Sequence, residues 1–345
     1  MARQQRIFYA CQAVAITPKG KGTVATANVI KGAQSVGMST TFSLDQVFEM
    51  GQVAIYDNIE EVADVEVTVE KVIDGELLIF ALASNNQCKS DLVAASKERC
   101  DVYVAIYDDG TSNATGAPRS VCYNSGMYIS SVSYNYSVDG SATESVTMVG
   151  NDRFWNAEQA GLVVHQPSGL YGTPTTGFTG SDTPVSGVVR RTDVLLGGSP
   201  GANGDSTIPA EVDLQKGDDP VATNSNRHIQ SISVSTDFGQ EQIQELGRFG
   251  PFTRYATFPI EVTCEFEVSA VSGDLISVSG NSTNLQDRQI VIRDSAGTVL
   301  DLGSQNKLSS ISYSGGDTGG GNSTVTYSYS NFNVLTVDGG GSAAS

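Results

Sequence analysis

Strict alternation of apolar and polar residues marks two segments of the chain as strands. In Asp64–Glu70, three valines share one side, and acidic residues with one threonine share the other. In Ile260–Val268, apolar residues occupy every even position, and glutamate or threonine occupies the odd positions. Because successive side chains of a strand point to opposite faces of a sheet, both segments predict half-buried strands with an acidic exposed face.

Two further pairs of segments predict hairpins. Tyr128–Val138 has a long apolar face, and an Asp-Gly turn separates it from the returning strand Ser145–Gly150. Asp-Gly between alternating segments is a strong signal for a hairpin turn. Near the C-terminus, Leu308–Tyr313 is expected to pair with Thr324–Tyr329 across a glycine-rich turn.

Helices are predicted in only two short segments, Ser90–Arg99 and Gln240–Leu246. The second is the stronger prediction, because Gly247 follows it at the position where glycine commonly ends helices. A strand is predicted for Gln52–Tyr56, and Val188–Leu196 is a strand-like island. The predicted fold class is therefore all-β, with one or two short helices.

Changes in composition divide the chain into five parts. Similar six-residue segments that start at residues 129, 229 and 308 suggest a repeated hairpin unit on either side of a stretch rich in glycine, proline and threonine. The predicted parts are a basic N-terminal arm (1–44), a first β unit (45–155), a loosely packed insertion (156–226), a second β unit (227–337) and a flexible tail (338–345).

The charge is acidic overall and unevenly distributed. The 345 residues include 20 Lys or Arg and 38 Asp or Glu, so the formal charge is −18. The arm carries five basic residues and no acidic one, and removing these five charges from the total leaves −23 for the rest. The arm could dock on the acidic surface of its own chain or of a neighbouring subunit. We expect the neighbouring subunit, with Ile7, Phe8, Tyr9, Val14 and Ile16 buried there. The candidate contact residues are Arg3, Arg6, Lys19, Lys21 and Lys31.

No pattern of residues predicts catalysis, a metal site or a cofactor. Neither His165 nor His228 lies in a Ser/His/Asp or Cys/His motif, and five scattered cysteines include no CxxC pair. Asp108–Asn113 resembles a calcium loop, but it lacks the glutamate that an EF-hand needs at its twelfth position. No apolar run is long enough to span a membrane, and the N-terminus lacks the apolar core of a signal peptide. We therefore expect a protein that is not an enzyme and has no membrane partner.

Several segments of the chain resemble tail tube and related virion structural proteins of large tailed bacteriophages. They are Gln52–Gly75, Ile229–Val268, Leu308–Val334 and the island Val188–Leu195. The most specific part is the string FPIEVTCEFEV at Phe258–Val268. The resemblance implies a tail-tube-type β-sandwich or β-barrel, in which neighbouring subunits join into one continuous tube barrel.

The same resemblance implies the assembly and its partners. Subunits would stack as homo-oligomeric rings, usually hexameric, and phage DNA would pass through the channel on ejection without specific binding. Partners would be the baseplate, the tape measure and, in a contractile tail, the sheath. The protein would be located in the virion tail after assembly in the cytoplasm of the bacterial host.

An acidic channel suits the passage of DNA, because carboxylates repel phosphate and DNA affinity depends on Lys and Arg. The candidate channel-lining residues are Glu66, Glu70, Glu261, Glu265 and Glu267.

The sequence leaves alternatives open. No feature of the sequence excludes another virion structural protein, such as a baseplate tube-initiation protein or a capsid decoration protein. A carbohydrate-binding or carbohydrate-hydrolysing tail β-protein needs aromatic residues beside paired carboxylates, and the chain has one tryptophan. One tube domain with an insertion and two fused tube domains both agree with the chain length.

Overall fold

The protein is all-β, as the sequence predicts. The computed structural model describes residues 6–19, 28–84, 89–108, 118–157, 187–196, 206–213, 228–271, 273–274, 276, 286–316, 318 and 321–339. Within these ranges the strands pair antiparallel in open sheets, and the α-helices have at most five residues. The helices are α1 (Ile79–Ala83), α2 (Leu92–Ala95) and α3 (Ala210–Asp213), with a 3₁₀ turn at Tyr9–Cys11.

The strands, in chain order, are β1 (Gln12–Pro18), β2 (Asn28–Val29), β3 (Ala33–Thr41), β4 (Leu44–Phe48), β5 (Ile55–Glu60), β6 (Asp64–Val72), β7 (Lys89–Asp91), β8 (Arg99–Ile106), β9 (Ser120–Ser137), β10 (Thr143–Gly150), β11 (Asp152–Ala157), β12 (Ile229–Asp237), β13 (Glu241–Ile243), β14 (Thr253–Tyr255), β15 (Glu261–Ser269), β16 (Val291–Arg293), β17 (Val299–Asp301), β18 (Lys307–Ser314), β19 (Thr324–Phe332) and β20 (Thr336–Asp338).

Twelve of these strands form one large sheet. Its eight-strand path has the order β18-β19-β15-β12-β9-β10-β6-β3, and β1, β2, β8 and β11 pair beside it. The 18-residue strand β9 pairs first with β8 and β11 and then with β10 and β12. Because β9 pairs with β12, the predicted units 45–155 and 227–337 share a single sheet. Both predicted hairpins, β9–β10 and β18–β19, are present.

The inner face of the large sheet packs on a smaller sheet of order β16-β17-β20-β7 and on α1. Ile292, Leu300 and Val337 of the small sheet share a continuous buried core with Val67 and Tyr327 of the large sheet. Removing apolar surface from water is worth about 25 cal/mol per Å². This two-layer core therefore fixes which face of the large sheet remains exposed.

Helix α1 is attached to the large sheet by the buried carboxylate of Glu144 on β10. The backbone N–H groups of Ile79 and Phe80 donate to its two oxygens at 2.6 and 3.0 Å, and the Tyr134 hydroxyl donates at 3.1 Å. Burial raises the pKa of Glu144, and the nearby Lys71 cation and these hydrogen bonds offset part of that rise. The carboxylate thus satisfies the first N–H groups of a helix that has no side-chain cap at its N-cap position.

Strand β1 corrects the prediction of an N-terminal arm that buries Val14 and Ile16 against a neighbouring subunit. Val14 and Ile16 lie in the main core, while Ala13 and Ala15 on the other side of the strand belong to a second core with Tyr103. Both faces of β1 are covered, which explains an apolar run without alternation. Val14 and Ile16 are therefore buried within their own chain and cannot bury against a neighbour.

Other local predictions also need correction. Gln240–Leu246 is not a helix, because Glu241–Ile243 pairs as β13 with β14. The helix in Ser90–Arg99 is limited to α2, which begins after the N-cap Asp91, and the strand near Gln52–Tyr56 begins only at Ile55.

Parts of the predicted insertion are packed into the core, where Val189 and Val212 are buried. Residues 158–186, 197–205 and 214–227 lie outside the described residues, as do residues 340–345 of the predicted tail.

Candidate channel-lining surface

The five predicted channel-lining glutamates lie on one exposed face of the large sheet. Val65, Val67 and Val69 of β6 are buried, so the alternating Glu66 and Glu70 point to the opposite side. Strand β15 repeats this arrangement, with Glu261, Glu265 and Glu267 on the side away from the core. We call this surface the polar face of the sheet. Its exposure agrees with the alternation, whereas its position in a channel remains a prediction.

Short hydroxylated side chains fill the polar face between the glutamates. Registers align one row across seven strands, from β3 through β6, β10, β9, β12 and β15 to β19. The members of this row are Ser35, Glu70, Ser145, Ser133, Ser235, Thr263 and Ser330. Apart from Glu70, every one carries only a short hydroxyl side chain, and Ser133, Ser235 and Thr263 line a depression of about 590 Å³.

Hydroxyl groups of neighbouring strands bond to the carboxylates of the polar face. Ser231 donates to Glu267 and Ser328 donates to Glu265, each at 3.1 Å, and Ser35 donates to Glu70 at 3.3 Å. Carboxylates accept these bonds without losing their charge. The arrangement therefore orients fixed negative charges in a plane of neutral hydroxyls.

Positive charge is nearly absent from the polar face. On the eight described strands of the path, Lys71 is buried on the inner side. Lys307, at the first position of β18, lies opposite Ser330 on the polar face and pairs with Asp287 at 3.4 Å. Arg254 lies on β14, in the separate two-stranded sheet β13–β14, and pairs with Asp64 at the start of β6. The polar face thus combines several carboxylates with no described cation in its middle.

The predicted inter-subunit cations are dispersed. Lys19 pairs with Asp101 at 3.1 Å, and Lys31 pairs with Glu76 at 2.5 Å. The Arg6 guanidinium lies 5.2 Å from the centre of the Phe8 ring. These partners are all within the chain, so contact of these cations with a neighbour remains a prediction. Arg3 and Lys21 lie outside the described residues.

The path of the large sheet ends at two edge strands, β3 and β18, which each pair with only one other described strand. β3 carries no charged residue, and β18 carries only Lys307 at its start. Monomeric proteins usually protect such edges with charges or proline, although each strand here has one irregularity near its first residues. Seven consecutive pairings separate the two edges, and all are antiparallel.

Sequence reasoning missed a second exposed feature, the projecting hairpin formed by residues 42–61. Every residue of β4 and β5 is exposed, and these strands pair only with each other within the described chain. Met50 and Val53 at its tip are fully exposed. Its large apolar residues that lack cover are Phe42, Leu44, Val47, Phe48, Met50, Val53, Ile55, Tyr56 and Ile59. Sequence reasoning depended on alternation of apolar and polar residues. A hairpin with no buried face does not require such alternation, so this hairpin was missed.

No group of His, Cys, Asp and Glu among the described residues could hold a metal ion. The described cysteines, at positions 11, 100, 122 and 264, are buried and unpaired by disulfides, and burial raises the pKa of the Cys122 thiol to about 11. In the described part of the chain, no helix has the length and apolar character required to span a bilayer.

Comparisons with known proteins find similarity to solved structures alone. No protein-family model matches the chain, and no curated protein matches it. A chain from the cryo-EM structure of the anti-feeding prophage (AFP) baseplate, 6-fold symmetrised, is similar with a TM-score of 0.32 and 12% identity. The match covers 45% of this chain and 97% of that chain. A TM-score of 0.32 does not establish a shared fold.

Proposed function

We propose that the protein is a virion structural protein of a tailed bacteriophage, and specifically a subunit of its tail tube. The observation that carries this proposal is the polar face, a broad surface of hydroxyls and glutamates on one side of an open sheet. In the proposed tube, this face lines the channel through which DNA passes. The protein acts mechanically and needs neither a catalytic group nor a cofactor.

The two edge strands supply the lateral contact of the proposed ring. Seven antiparallel pairings separate them, so β3 and β18 run in opposite directions. When β3 of one copy lies beside β18 of the next, the new pair is again antiparallel, and the polar faces can stay on the same side. Pairing of this kind satisfies the open edges and extends one sheet through all subunits.

The electrostatics of the polar face suit a DNA channel. Non-specific DNA affinity arises from Lys and Arg that replace counterions at phosphates. A surface with Glu66, Glu265 and Glu267 offers few such contacts, because Lys307 is the only cation of the described path strands on this side and it pairs with Asp287. DNA would therefore move along it with little adhesion.

Sedimentation velocity and negative-stain microscopy of the purified full chain test the proposal. We expect closed rings with an axial channel, stacked into tubes. Single rings that never stack would instead indicate a tube-initiation role in a baseplate. A monomer at all concentrations, or a shell-like array without a channel, would contradict the tail tube function.

A matched pair of variants tests the lateral contact. Gly37 lies in β3, and a side chain added there meets no atom within 4 Å. Gly37→Ala should keep the rings, while Gly37→Lys should give a folded monomer, because lysine on an exposed edge strand opposes strand pairing. Rings of normal abundance from Gly37→Lys would exclude β3 from the lateral contact.

A further inference from the structure

A lysine and an aspartate are buried together where β6 ends. Lys71 Nζ lies 3.3 Å from Asp74 Oδ1, and the two side chains are 0% and 3% exposed. Among the ion pairs of the described residues, only this pair has both side chains less than a tenth exposed. Taking two charges out of water is costly, and their attraction often repays the cost only in part. A reaction that removes both charges is therefore favoured at this position.

Neighbouring groups hold the lysine amine against the carboxyl group of Asp74. Lys71 Nζ donates to the Leu77 carbonyl at 3.0 Å, which fixes the end of the lysine side chain. Asp74 Oδ1 accepts from the Glu76 N–H at 3.2 Å, and a Cβ atom added at Gly32 would lie 3.0 Å from Oδ2. Both partners are thus fixed in contact. Groups held about 3–3.5 Å apart react far faster than the same groups free in solution.

Glu144 brings a second buried carboxyl group to the pair. It lies directly opposite Lys71 in the register of β10 and β6, and residues paired in this way have Cβ atoms about 4.5–5.5 Å apart. Its Oε2 accepts from the Ile79 N–H at 2.6 Å, two residues after the carbonyl that Lys71 contacts. The side chains of Glu144 and Lys71 therefore converge on the start of α1, where the glutamate can exchange a proton with the amine.

We infer that Lys71 and Asp74 become joined after folding by an amide bond between their side chains. The ammonium gives a proton to Oδ2 of the carboxylate, and the uncharged Nζ attacks Cγ. Negative charge develops on Oδ1, where the Glu76 N–H stabilises it. Glu144 carries one proton from Nζ to the Oδ2 hydroxyl, the Cγ–Oδ2 bond breaks, and one water molecule leaves.

The reaction is balanced by the groups already present. Glu144 ends in the state in which it began, and the step needs no oxidant, reductant or cofactor. One neutral amide replaces two buried charges, and the new bond cross-links the turn between β6 and α1. This modification of the subunit is independent of the proposed tube.

Mass spectrometry of the full chain, denatured after folding, tests the inference. The wild type should be lighter than its sequence by one water molecule, and Lys71→Met should show no loss. Asp74→Asn should lose one ammonia molecule instead, because an asparagine amide acylates the same amine and releases ammonia. Lys19→Met is the matched control. Lys19 pairs with Asp101 at a similar 3.1 Å but is 36% exposed, so this variant should lose water like the wild type.

Trypsin digestion of the same samples locates the bond. Trypsin does not cleave after an acylated lysine, so residues 32–89 should remain one peptide that contains Lys71 and lacks one water molecule. Cleavage after Lys71, in the wild type or in Asp74→Asn, would overturn the inference and assign any loss of mass to a cyclic imide at Asp74–Gly75. A wild type with its full sequence mass, or a Lys71→Met variant that still loses water, would overturn it as well.

Discussion

Replacement of Glu144 should destabilise the fold by an amount that its hydrogen bonds determine. The carboxylate is fully buried and accepts from Ile79, Phe80 and Tyr134. In Glu144→Gln, the amide keeps one acceptor oxygen and turns an NH₂ group toward donors of α1, so at least one buried N–H loses its partner. An unsatisfied buried donor costs about 1–3 kcal/mol. We expect the glutamine variant to lose about that much stability.

Two further variants of the same hydrogen-bond cluster should lose less and more stability than Glu144→Gln. Tyr134→Phe removes one of the three bonds and leaves both helix N–H groups paired, so it should cost about 1 kcal/mol. Glu144→Ala removes all three acceptor contacts and leaves a cavity, so it should cost about 3–6 kcal/mol. Urea unfolding followed by far-UV circular dichroism, at a concentration below assembly, gives these differences from the shift of the midpoint.

The pH dependence provides a second test of the same residue. Burial raises the pKa of Glu144 in the folded state above its ordinary value of 4.5. The folded state then holds its proton to higher pH than the unfolded state, so this group contributes most below about pH 4.5 and its contribution falls as pH rises through the folded pKa. The difference between wild type and Glu144→Gln should shrink over that window. A glutamine variant within 0.5 kcal/mol of the wild type at every pH would refute the role of Glu144 as the cap of α1.

Three further predictions concern the surface and the N-terminus. Replacing Glu261, Glu265 and Glu267 with Lys should leave assembly intact but slow DNA ejection from particles; ejection at the normal rate would show that β15 does not line the channel. Deleting residues 1–18 should prevent folding, because it removes β1 from two cores; a cooperative thermal transition of the shortened chain would show that β1 is dispensable. Substituting Met50 and Val53 together with Ser should leave the unfolding free energy unchanged, because both side chains are fully exposed; a lower urea midpoint would mean that the hairpin packs on its own chain.

The sequence predicted the elements in which one face is buried and the other is exposed. β6 and β15 alternate because each separates a two-layer core from solvent, and the hairpins β9–β10 and β18–β19 carry turn residues between alternating strands. The same reasoning placed all five glutamates on exposed faces. It could not show that these faces belong to one sheet, because the pairing of β9 with β12 joins residues about 100 positions apart in the chain.

The failures have equally specific causes. β1 is covered on both sides and gives no alternation, so its residues were assigned to an arm. Gln240–Leu246 has favourable helix composition, but tertiary pairing of β13 with β14 overrides it. Helix α1 was not predicted, since its five apolar residues are all buried and its cap is Glu144, 65 residues away from Ile79.

Cryo-EM of tubes assembled from the purified full chain tests the central claim most directly. The account predicts an axial channel whose wall is the large sheet, with Ser133, Ser235 and Glu265 facing the axis and β3 of one subunit beside β18 of the next. A reconstruction in which this face points outward or is buried between subunits, or in which no channel exists, would contradict it.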